Sequence, residues 1–177
     1  MRFLEEKNPL VPSLAKKLFK PGKRDLTKVR KQWLNVIEES SHQNKEIRCI
    51  YSDEIITKKN LALDHFLPWN FVCHDRLWNI TPTTKAVHEA KSNSLPDCKT
   101  YMNLFVRQQF DALSSMLSSK KNKTGEWLQD YMDLLRIKNL ANLQLMSYEY
   151  FHERLDDTMK PLVQIARSMG FSDGWML

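Results

Sequence analysis

The chain has 177 residues, 42% of them hydrophobic and 27% charged, with a net charge of +6 and three cysteines. That length suits one compact domain, or a small module with flanking helices, and it can bury a core without disulfide staples; the composition excludes a wholly disordered chain. Cys49, Cys73 and Cys98 form no CxxC pair and are too few for a disulfide framework, and no apolar run approaches the ~20 residues that a membrane span needs.

The positive charge is concentrated at the start. Residues 1–31 carry ten basic side chains against three acidic ones, a local charge of +7, and the remaining residues sum to −1. Such a stretch attracts polyanions, nucleic acid above all, although a solvated face is the commoner use of surface charge. Arg2, Glu5, Glu6 and Lys7 interrupt any leader-like apolar run, so the cytoplasm is the expected compartment.

Residues 1–22, with Pro9, Pro12 and Pro21, read as an irregular arm with at most one short helix near 13–19. A helix is predicted over 25–39, where Val29, Trp33, Val36 and Ile37 fall at helical spacing and charged residues fill the other face. The β-branched run 46–51 predicts a strand, and 57–66 a second one ending in Asp64-His65. A loop around Pro68 follows, then a further strand over 77–81. Pro82-Thr83-Thr84 opens a short helix through about residue 91, with Thr83 or Thr84 as its cap, and Ser94, Pro96 and Asp97 stop it.

From Cys98 onward the pattern is helical. Val106, Phe110, Leu113 and Leu117 form one apolar stripe, and Trp127, Tyr131, Leu134 and Leu135 a second. Leu155, Met159, Leu162, Ala166 and Met169 form a third, and 120–125 is a loop between the first two. These stripes read as core. The expected class is α+β and mostly helical.

The stretch LDHFLPWNFVCHDRLWNITPTTKAVHEAKSNSLP, residues 63–96, mixes Asp, His and Asn with strand, loop and helix in that order. It resembles the HNH endonuclease family, the ββα-metal nucleases, over about residues 46–97. The matching pieces are Asp64-His65 followed by Pro68, then Trp78-Asn79, then His88 three residues before Lys91, with Ser92 and Pro96 after. The resemblance implies a small ββα-metal core at 46–97, flanked by a basic arm and helix at 1–45 and a helical region at 98–177.

It also implies a chemistry. Phosphodiester hydrolysis needs an activated water, charge relief on the phosphoryl oxygens and stabilisation of the leaving oxygen. A neutral imidazole near pH 7 can take the proton, and a divalent metal can supply the rest. By position, His65 matches the general base, and Asp64 and His88 match the metal ligands. Asn79 matches the residue that braces the loop and orients the base. Lys91 is expected to contact the scissile phosphate, though a lysine at a helix end also suits the dipole.

One divalent ion is expected, Mg²⁺ or Mn²⁺ first. Zn²⁺ and Ni²⁺ are the alternatives, because His88 stands where relatives often carry Asn and imidazole favours softer ions. No structural zinc is expected, since the paired CxxC knuckle of many relatives is missing. DNA is the expected partner, with RNA as the alternative, and no membrane. Small HNH chains also serve in antiviral defence beside an ATPase, a context the resemblance carries and these residues do not. The rival readings are a catalytically silent nucleic-acid-binding adaptor and an RNA-cutting toxin.

The other polar residues of the stretch receive plainer readings. His74 and Asp75 read as polar loop residues packed by Trp69, Phe71 and Trp78, a supporting role being the alternative. His42 and His152 read as surface residues, and Cys73 and Cys98 as small buried hydrophobes.

Overall fold

A computed structural model describes residues 24–118 and 126–177. The irregular arm, its short helix near 13–19 and the loop at 120–125 lie outside those residues. The fold is α+β and mostly helical, with one two-stranded antiparallel sheet. No helix among the described residues is long and apolar enough to cross a membrane.

Helix α1 spans Thr27–His42 and buries Val29, Trp33, Val36 and Ile37, the stripe expected from spacing. The segment expected as a first strand does not form one. Arg48 makes a single antiparallel bridge with Ile55, and the chain turns back between them with Asp53 in the left-handed region at φ 59°. So tight a reversal leaves no room for a ladder, and the segment instead delivers Cys49, Ile50 and Tyr51 to the core.

Strand β1 covers only Ala62–His65 of the expected 57–66, because Asn60 caps a turn by accepting from the Thr57 backbone N–H at 2.7 Å. A short helix α2, Trp69–Val72, follows and closes on Cys73 at φ 54°. Residues Leu77–Asn79 form a 3-10 turn rather than the start of a strand, and β2 is Ile80–Thr83. The pairs are Ala62 with Thr83, Leu63 with Pro82, Asp64 with Thr81, and His65 with Ile80. Pro82 is tolerated because in a two-stranded sheet each strand has a free edge.

Helix α3 spans Lys85–Lys91, as expected for a helix with Thr84 at its N-cap. Thr84 occupies its N-cap position in extended conformation, but neither Thr83 nor Thr84 makes a side-chain cap bond. The Thr83 hydroxyl instead lies 3.2 Å from the Cys49 sulfur. The arrangement β1–loop–β2–α3 packs α3 against β1.

The rest is helical: α4 Cys98–Ser118, α5 Glu126–Leu135, α6 Leu140–Gln144 and α7 Tyr148–Ser168. α4 is central, touching α1, β2 and α7, while α5 packs on α7 and on the 3-10 turn. Phe66 after β1 stacks on Phe105 of α4 at 4.2 Å between ring centroids, and both are fully buried. Of the residues expected in the core, Met169 lies past the end of α7 and is 47% exposed, and Cys98, Phe110, Leu117 and Leu162 are only partly buried, packed against the core. The C-terminal residues strap onto the segment after α3, where the backbone N–H of Asp97 donates to Trp175 at 2.8 Å and that of Trp175 to Leu95 at 3.0 Å.

Candidate active site

Successive residues of a strand point to opposite faces, so β1 sends the side chains of Asp64 and His65 in different directions. Asp64 turns toward α3. His88 and Lys91 are three residues apart on that helix and share one face. Asp64 Oδ1 lies 3.0 Å from His88 Nδ1, and Asp64 Oδ2 lies 2.9 Å from Lys91 Nζ. The Tyr51 hydroxyl donates to the same Oδ2 at 3.1 Å.

Asp64 is 1% exposed, so each of these partners matters electrostatically. Burial pushes its carboxyl up, but the Lys91 charge and the hydrogen bonds from His88 and Lys91 outweigh burial and hold it below the ordinary carboxylate range. Tyr51 moves the other way, far above the usual phenol range, through burial first and the Asp64 charge second. It therefore stays protonated and remains a donor.

Lys91 does not sit where a phosphate ligand would. It is 0% exposed, and its ammonium is taken by Asp64 and by the His65 carbonyl at 2.8 Å. The short helix points Lys91 inward, where it is paired with Asp64 and is not free for the expected contact with a scissile phosphate. His88, by contrast, has 31% of its side chain exposed.

His65 turns toward the loop before the 3-10 turn. Its Nε2 lies 2.9 Å from Asp75 Oδ1. Its Nδ1 is buried and finds no hydrogen-bond partner among the described residues. Asn79 is fully buried and clamps the chain two residues past His65. Its Oδ1 accepts from the Leu67 N–H at 2.9 Å, and its Nδ2 donates to the Leu67 carbonyl at 3.0 Å. The Asn79 carbonyl also accepts from the Phe66 N–H at 2.9 Å. The residues that follow His65 are thereby tied to the turn that opens β2.

The structure thus brings Asp64, His88 and Lys91 into one cluster, and ties His65 and Asn79 into the next. Tyr51 was not singled out from the sequence, and a supporting role for Asp75 was only the alternative reading. Tyr51 reaches Asp64 only because the chain reverses at 50–53. Asp75, read as an ordinary loop residue, is the partner of the His65 ring. The only signal for it was a carboxylate in the loop beside the motif.

As a metal centre the donor set is small. Among the described residues no group of three or more His, Cys, Asp and Glu side chains gathers as a cage. The facing pair of a carboxylate and an imidazole is still a fitting set of protein ligands, since Mg²⁺-like ions are commonly held by one or two side chains with water and phosphate completing the shell. One of the two, His88, is open to solvent.

Residues 49–97 are matched by the family model described as HNH endonuclease. The match covers the turn that supplies Tyr51, both strands and α3, and so every residue of the two clusters. The match spans 49 of the 177 residues, so it shows a likeness of this segment to the HNH endonucleases, a family whose members act on nucleic acids. No curated protein and no solved structure matches the chain.

Proposed function

We propose that this protein is a metal-dependent endonuclease that hydrolyses phosphodiester bonds in DNA, with His65 as the general base. The observation that carries the reading is the pair of adjacent residues at the end of β1. Asp64 meets a half-buried histidine from α3, and His65 keeps one ring nitrogen engaged and the other unpartnered among the described residues.

In this reading His65 Nδ1 takes a proton from a water molecule. The water oxygen attacks phosphorus, the bond from phosphorus to the leaving oxygen breaks, the leaving oxygen takes a proton from solvent, and His65 returns its proton to solvent. Asp64 and His88 would hold one divalent cation, Mg²⁺ or Mn²⁺ first and Zn²⁺ or Ni²⁺ as alternatives, and when bound it would supply charge relief to the phosphate. Asn79 fixes the backbone after His65 and so limits the positions the ring can take. Lys91 and Tyr51 hold Asp64 Oδ2, and Oδ1 faces His88.

Lys28 and Lys31 of α1 line a cleft of about 520 Å³ whose other charged residues are Asp75 and Asp130, so two basic side chains of α1 reach the loop that touches His65 without making the cleft itself basic. Lysine contacts to a phosphate backbone do not read sequence, and sequence-tolerant cutting is expected.

The test is cleavage of supercoiled DNA and of a structured RNA in parallel, with Mg²⁺, Mn²⁺ or EDTA. The reading predicts DNA nicking that requires the ion. Cutting of RNA alone would replace DNA as substrate, and inertness toward both with every ion would favour a silent binding module.

A further inference from the structure

Asp75 is bound to the ring that the nuclease reading makes the base, and its own loop is tied down from a distant helix. We propose that Asp75 is the positioning residue of His65, selecting the ring nitrogen that acts as base; this rests on the reading of His65 as the general base.

A neutral imidazole has one N–H and one lone pair. A carboxylate can only accept. At 2.9 Å from Asp75 Oδ1, His65 Nε2 must therefore carry the hydrogen, and the lone pair falls on Nδ1. Nδ1 is the buried atom left without a partner. The occupied nitrogen and the vacant one thus follow from a single contact. Burial strengthens it, since the His65 side chain is 3% exposed and that of Asp75 25%.

The loop carrying Asp75 is not free to drift. Cys73 enters it from α2 in the left-handed region, and the His74 ring sits edge-on to Trp78 at 5.4 Å. On the far side the Leu77 N–H donates to Asp130 Oδ2 at 3.1 Å, and Arg76 Nη1 lies 3.8 Å from Asp133 Oδ2. Both acceptors belong to α5, which packs on the 3-10 turn. The carboxylate is therefore held in register with the ring by an element outside the motif.

The test reads the tautomer directly, by ¹⁵N NMR of the metal-free protein labelled in histidine. The His65 signals are assigned with His65→Gln, at about pH 8 where a free imidazole is neutral. Wild type is expected as the Nε2–H form. Asp75→Ala, and the isosteric Asp75→Asn in case the alanine variant does not fold, are expected to shift the ring to a mixture or to the Nδ1–H form. In the cleavage assay the same variants should lose roughly 10–100-fold in kcat with KM little changed, and Asp75→Glu should recover part of it.

A ring that keeps the Nε2–H form in both variants overturns the proposal, whatever the rates do. A tautomer that switches in a protein that never cuts would uphold the positioning contact and remove the nuclease reading. Loss of rate with an unchanged tautomer would reduce Asp75 to a structural part.

Discussion

Asp64 shows how a single buried carboxylate organises a site. Three donors from three places in the chain, Tyr51, His88 and Lys91, converge on its two oxygens. Removing only the cation, as in Lys91→Met, leaves the charge buried without its main compensation. A loss of about 3–5 kcal/mol in urea unfolding is expected. The pH dependence follows from the direction of the Asp64 shift. Its carboxyl is held below the ordinary value in the folded protein. The resulting stabilisation is complete above the unfolded carboxylate value near ~3.9, and it is lost as pH falls through the lower folded value. The gap between wild type and Lys91→Met should therefore narrow below about pH 4, and a constant gap across that range would contradict the pairing.

Much of this residue scale was legible. Asp64, His65, Asn79 and His88 stand out because the motif fixes both their types and their spacing. What the motif could not fix was the direction of a side chain. Lys91 lies on the same helical face as His88, and that face looks inward, so proximity to the site became burial beneath it. Asp75 and Tyr51 were hidden for a related reason. Their contacts are set by loop reversals, at 73–77 and 50–53, whose shape depends on left-handed residues that are neither glycine nor otherwise conspicuous.

Elements show the same division. The long helices follow from apolar spacing, and α1, α4, α5 and α7 fall close to where the stripes placed them. The short strands were harder, because four residues carry too little pattern to separate a strand from a turn beside it. The run at 46–51 is β-branched and apolar for the core it enters, with no ladder to join. The element that most affects the site lies outside the family segment. α5 holds the loop bearing Asp75 through Asp130 and Asp133. Asp130→Ala should therefore lower cleavage several-fold while leaving divalent-ion affinity, measured by calorimetry, unchanged. Loss of ion affinity instead would place α5 in contact with the ligand side of the site.

Taken whole, the molecule does not divide energetically where its motif does. One continuous hydrophobic cluster runs from Val29 in α1 through Phe66 and Ile80 to Phe151 and Leu155 in α7. A buried polar thread accompanies it. Gln109 of α4 donates to the Ile80 carbonyl of β2 at 2.9 Å, and its oxygen accepts from Tyr131 of α5 at 2.6 Å. The helices are therefore the support on which the strands and α3 keep their positions. Charge is the other property at this scale. With +7 on residues 1–31, DNA affinity should fall linearly in the logarithm of salt concentration. A flat dependence would mean that this stretch does not hold the phosphate backbone.

The most direct measurement is supercoiled-plasmid cleavage with Mg²⁺, Mn²⁺ and EDTA, comparing wild type with His65→Ala. Ion-dependent nicking that disappears in His65→Ala, while the variant unfolds at the wild-type urea concentration, is the predicted result. Cutting that survives in His65→Ala would contradict the assignment of the base and move the chemistry to another part of the molecule.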